Sequence, residues 1–146
     1  MGFRFSLAAV LKYREQCEQR EEQKLELLRD TLARLKTQLA AAGENLLRLQ
    51  GERDLLLERG MLGDDLNYAT EQALQMKSLE EELRKQMSTA RVDYENQLQA
   101  FLAARQKREI LDELKETKKE TYRAQHERWE QQSIDEIFNA RRHRDT

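Results

Sequence analysis

Leucine recurs on a seven-residue beat through the first third of the chain. Leu25, Leu32, Leu39 and Leu46 hold one heptad position, and Leu28, Leu35, Leu49 and Leu56 hold the other. Ala42 fills a further slot, and Arg53 is the polar residue on that beat. Steps alternating between three and four residues put these side chains on one narrow stripe of a helix. So narrow a stripe cannot close a globular core, so it requires a second helix alongside. The pattern predicts a first helix from about residue 6 to about residue 59, roughly 80 Å at the α-helical rise. A second stripe runs through Ala69, Ala73, Met76, Leu83, Met87, Ala90, Tyr94, Phe101, Ala104 and Leu111, with Glu80, Gln97 and Arg108 as its polar exceptions. It predicts a helix from about 65 to about 141, up to roughly 110 Å long.

Between the stripes lies Gly60-Met61-Leu62-Gly63-Asp64-Asp65. Two glycines three apart permit the left-handed backbone that ends a helix, and Asp64 or Asp65 suits the N-cap of the next one. A turn of about 60–64 makes antiparallel neighbours the natural geometry. The expected fold is all-α: a long antiparallel two-helix coiled-coil hairpin, one coiled-coil domain over residues 1–146. If Leu56 faces Ala69, Glu18 falls near Lys107 and Arg108, and Leu11 near Leu114. Continuing the first stripe backwards meets Glu21, Glu18 and Arg14 before Leu11 and Leu7, so this part of the seam must pack loosely or pair its charges. The same register leaves residues 122–146 overhanging, with Tyr122, Trp129, Ile134, Ile137 and Phe138 lacking a place in the hairpin. Gly43 and Gly51 interrupt the first helix singly and are read as weak points, about 1 kcal/mol each.

Composition agrees with long helices. Charged residues make up 37% of the chain and there is no proline, whose presence inside a helix costs about 3 kcal/mol. The 26 basic and 28 acidic residues are finely mixed, which argues against a dedicated nucleic-acid surface. No apolar run approaches the roughly 20 residues of a membrane span, so no direct membrane insertion is expected. The opening run from Met1 to Leu7 has no signal-peptide core before the charges resume at Lys12. Cys17 is the single cysteine, so an internal disulfide is impossible and a reducing, cytoplasmic setting is expected.

Candidate chemistry is sparse. His126 and His143 are the only histidines, and with Cys17 they form no metal-binding spacing. A two-helix rod offers no water-excluding pocket for catalysis. No catalytic residue, cofactor or metal is expected, and the chain reads as a binding protein rather than an enzyme. Tyr122 and Trp129, seven apart on one face, suit docking to a partner or packing against a second copy. The tail Arg141-Arg142-His143-Arg144 suits a solvated helix end or an acidic partner. After the turn, Leu66, Tyr68, Leu74, Met76, Leu79 and Leu83 form a band wider than a seam. It is either a broad local core on Leu55, Leu56 and Leu57 or a second partner site.

Two terminal motifs sharpen the functional reading. The run Phe3-Arg4-Phe5-Ser6-Leu7-Ala8-Ala9-Val10-Leu11-Lys12-Tyr13-Arg14 resembles the opening of the flagellar type III export protein FliJ family: an aromatic, then Leu, then Val-Leu, then Arg. The run from Glu127 to Glu136, with its Ile134-Asp135-Glu136 step followed by Arg141, resembles that family's closing pattern. Trp129 departs from it, standing where a polar helix former is usual. The resemblance covers the whole layout and about thirty residues of motif.

It implies a stalk of flagellar protein export that binds the hexameric export ATPase ring with its terminal end and promotes ring assembly or activity. It further implies contact with the cytoplasmic domain of the export-gate membrane protein near the turn, and with export chaperones. The expected location is cytoplasmic, peripherally associated with the cytoplasmic face of the inner membrane. Carried over residue by residue, Leu7, Val10, Leu11, Arg14, Ile134, Asp135, Glu136 and Arg141 become ATPase-binding candidates. Tyr68, Leu74 and Leu79 become export-gate-binding candidates. The alternatives are a generic self-associating coiled coil and the equivalent stalk of a virulence-type secretion system.

Overall fold

Heptad leucines without an intervening proline give two uninterrupted helices, α1 (Ala8–Glu58) and α2 (Asp64–Arg144). They are described here in a computed structural model covering residues 2–61 and 63–145. No strand occurs among the described residues. The fold is all-α, two long helices packed against each other as a hairpin. The contacts divide the chain into two units, Glu21–Phe101 and Met1–Arg20 with Leu102–Thr146.

In the first of these units every heptad position from Leu25 to Leu56, and every stripe position from Ala69 to Phe101, is buried or half-buried. Leu35, Ala42, Leu83 and Ala90 form the cluster at its centre, with Leu32, Leu39, Met76 and Met87 packed around them. Pairing a leucine on one helix with an alanine on the other keeps the layer thickness even. A fully buried leucine in such a layer contributes about 1.5–3 kcal/mol, so a row of them offsets the ordering of two long segments.

The turn of this unit is built by the backbone. The Gly60 N–H donates to the Leu57 carbonyl (3.1 Å), and the Met61 N–H to the Leu56 carbonyl (3.0 Å). That is the Schellman pattern, which needs a left-handed residue after the helix. Gly60 supplies it with φ +71°, and Gly63 follows with φ +107°. Leu62 lies outside the described residues. The expected N-cap at Asp64 or Asp65 is corrected: the Gly63 carbonyl accepts from the Asn67 N–H, so both aspartates sit inside the first turn of α2. There their charge opposes the positive end of the helix dipole. Polar seam residues pair here too. The Gln97 side-chain amide, Nε2, donates to the Glu21 carbonyl at 3.0 Å and also to the Glu21 carboxylate.

In the second unit the seam continues through Leu11, Arg14 and Glu18 of α1 and Ala104, Arg108 and Leu111 of α2, all buried or half-buried. Arg108 grips Glu18 with a fork, Nε to Oε2 at 2.6 Å and Nη2 to Oε1 at 3.1 Å. Its Nη1 holds Asp112 at 2.7 Å. Glu18 and Arg108 are therefore paired across the seam, one of the two outcomes the sequence left open. Helix α1 begins at Ala8, two residues after the approximate start read from the sequence. The Leu7 carbonyl accepts the first helical bond, from the Leu11 N–H at 2.9 Å. Ahead of the helix Phe5 is buried, and the Phe3 ring lies 5.7 Å from that of Tyr122. Tyr122 is thus half-buried and not part of the overhang, which begins after it. Helix α2 runs to Arg144, three residues past the expected end.

Candidate partner-binding surfaces

The N-terminal candidates divide by depth. Leu11 is a core residue, 5% exposed, and Leu7 and Arg14 are half-buried. Val10 is the apolar candidate on the surface of this stretch, 43% exposed. Beside it Tyr13 is exposed, and the Arg14 guanidinium carbon stands 5.5 Å from the centroid of its ring. Leu7 and Leu11 therefore hold the end together, and Val10 and Tyr13 are what it presents.

Past Tyr122, α2 displays its apolar side chains. Trp129, Ile134, Ile137 and Phe138 are each more than half exposed. The Tyr122, His126 and Trp129 rings step along one side with centroids 6.2 Å apart at each step, and His126 Nε2 lies 3.1 Å from Glu130 Oε1. Ile134 and Arg141, seven apart, share a face with Ile137 and Phe138. Asp135 and Glu136 fall on the other side of the helix at about 100° per residue, and Asp135 accepts from Gln131 Nε2 at 3.1 Å. The structure does not gather the eight terminal candidates into one cluster. Ile134 lies twelve residues beyond Tyr122, roughly 18 Å along α2, while the N-terminal group lies on the other side of the Phe3–Tyr122 contact. The missing signals were Phe3 and Phe5. Two aromatics alternating just ahead of a helix start are apt to cover its end, and they extend the seam by one layer.

In the turn unit Tyr68, Leu74 and Leu79 are exposed, at 65%, 62% and 47%. Leu55 and Leu57 are exposed as well, so the broad local core is not formed. The seam takes Leu56, Ala69, Ala73, Met76 and Leu83, Leu66 is half-buried, and Leu55, Leu57, Tyr68, Leu74 and Leu79 stay outside. Tyr68 and Leu79, eleven apart, lie on one flank. Leu74 lies about 120° round the helix from Tyr68 and about 140° from Leu79. Tyr68 edges an open groove with Leu49, Leu55 and Leu56, and Leu79 edges another with Ala41, Ala42 and Asn45.

The electrostatics of the seam are local. The Gln97 amide donating to the Glu21 carboxylate, aided by Lys24, holds its pKa below the ordinary carboxylate value. Hydrogen bonds to Glu18 and then Asp112 push the Arg108 guanidinium further above its already high value. Among the described residues no three His, Cys, Asp or Glu side chains converge as metal ligands would, and no helix is long and apolar enough to cross a membrane.

Compared with protein-family models, curated proteins and solved structures, the chain has no match.

Proposed function

We propose that this chain is a non-enzymatic stalk and adaptor of flagellar protein export. In this reading the terminal end engages the hexameric export ATPase, and the turn end reaches the cytoplasmic domain of the export-gate membrane protein. Export chaperones are further partners, and the protein works in the cytoplasm at the face of the inner membrane. The observation that carries the reading is the exposed apolar set on α2 beyond Tyr122: Trp129, Ile134, Ile137 and Phe138. Large apolar side chains exposed on an otherwise polar helix favour a binding surface. It coincides with the terminal motif that resembles the export family.

A helical hairpin needs no chemistry of its own to act on a ring. Its two helices are unlike, so a ring of identical subunits meets different side chains at each position. Unequal contacts bias the nucleotide states of the subunits, which is a coupling free energy between sites.

The test is ATP hydrolysis by the purified export ATPase with and without this protein. Ile134→Asp and Val10→Asp are the informative variants, because both side chains are exposed and their loss leaves the seam intact. Leu11→Asp would unfold the end and report nothing about binding. Stimulation by the natural chain that both variants lose, with circular dichroism unchanged, is the expected result. Absence of stimulation and of co-elution would remove the export assignment.

A further inference from the structure

Along the overhang one stripe reads Glu127, Glu130, Ile134, Ile137, Arg141, Arg144. Its steps are three, four, three, four and three, the alternation of a coiled-coil seam. At 100° per residue the six side chains fall within an arc of about 100°. All six are exposed, and the two isoleucines are 59% and 57% exposed. Asp135 and Glu136 lie off this arc. The chemistry of the stripe is palindromic: two acids, two β-branched apolar residues, two arginines.

We infer that residues 127–144 pair antiparallel with the same segment of a second copy of this chain. Turned end for end, the stripe meets its own complement. Ile134 faces the second copy's Ile137, Glu130 faces Arg141, Glu127 faces Arg144, and each pairing occurs twice about the two-fold axis. Such an isologous contact closes on itself and makes a dimer rather than a filament. Phe138 flanks the stripe and covers Ser133 of the second copy.

Other arrangements fail on charge. A parallel pair sets Glu130 against Glu130 and Arg141 against Arg141. An antiparallel pair slipped by one heptad sets isoleucine against arginine or against glutamate. Only the register centred between Ile134 and Ile137 matches all six positions. The paired length is roughly 27 Å, so the area is small beside a standard interface and the dimer is weak and concentration-dependent. His126 already neighbours Glu130, which leaves the second carboxylate oxygen for Arg141. The pairing stands whether or not an export ATPase is a partner of the same face.

Sedimentation velocity of the full chain, from micromolar to sub-millimolar concentration, tests it with two charge variants, Glu127→Arg with Glu130→Arg and Arg141→Glu with Arg144→Glu. The natural chain is expected to double its mass as concentration rises. Each variant alone carries like charges at both ends of the stripe and is expected to stay at the mass of one chain. Mixed in equal amounts, the two variants complement each other and are expected to restore the doubled mass. A natural chain that stays monomeric throughout overturns the proposal and leaves the face to an unlike partner. Variants that dimerise alone, or a mixture that does not, overturn it as well, because the contact then lies elsewhere.

Discussion

At position 108 a guanidinium occupies a seam slot of the kind that Leu83 fills elsewhere in α2. It is tolerated because Glu18 and Asp112 accept three hydrogen bonds from it at distances of 2.6–3.1 Å. Arg108→Ala leaves the half-buried Glu18 carboxylate without its fork, and is expected to cost about 1–3 kcal/mol of unfolding free energy. Replacing Glu18 and Arg108 together by leucine is expected to recover that loss, since a packed apolar pair carries no desolvation penalty. Denaturant unfolding of the three proteins checks both outcomes. Glu21 makes a different prediction. Its pKa is lowered in the folded chain, first by the Gln97 amide. Its stabilisation is therefore present above the ordinary carboxylate value and lost as pH falls through the lower folded value. Glu21→Gln is expected to flatten that part of the acid limb, read as melting temperature against pH; parallel limbs for the two proteins would refute it. The pairing of polar seam residues was legible from spacing. Glu18 meets Arg108, as the register placed it; that Glu21 takes Gln97 was not legible, because a side-chain amide carries no sign to match.

At the scale of elements, ends are where sequence and structure part. Both helices were legible from the three-four alternation, and the seam register was too: Leu35, Ala42, Leu83 and Ala90 meet in one cluster, and Glu18 meets Arg108. The ends followed backbone bonding instead. Gly63, not an aspartate, caps α2, because the left-handed glycine already aims its carbonyl along the new axis. Two glycine substitutions with opposite signs test this account. Gly60→Ala forces a side chain into φ +71° and is expected to destabilise by roughly 1–2 kcal/mol. Gly51→Ala lies inside α1 with open space where its Cβ would go, and is expected to stabilise by about 1 kcal/mol. Thermal unfolding distinguishes them; a shared sign would refute the Schellman reading of the turn.

For the whole molecule, order should follow burial. In dilute solution, amides of residues 127–144 are expected to exchange about a hundredfold or more faster than those around Leu35 and Leu83, whose helices are held by a seam. Equal protection in the two regions would mean that something in the structure covers the overhang. The candidate surfaces were half legible. Exposed Tyr68, Leu79, Trp129 and Ile134 stand where the pattern left them over. Leu7 and Leu11, which the backward heptad already put on the seam, entered the candidate set through the motif; Leu11 is buried and Leu7 half-buried. A linear motif does not distinguish a residue that meets a partner from one that holds its neighbour in place.

The sequence alone determined the helices, their antiparallel seam and the need either to pair its charges or to pack loosely around them. Those follow from a local repeat, the absence of proline and one glycine-bearing turn, all readable without knowing any distance. Only the tertiary structure decided where the seam stops and what remains outside it. Phe3 reaching Tyr122 adds a layer that no heptad count includes, because residues 2–7 are not helical and obey no helical period. The faces beyond it, including the palindromic stripe from Glu127 to Arg144, become surfaces only once that last layer is in place.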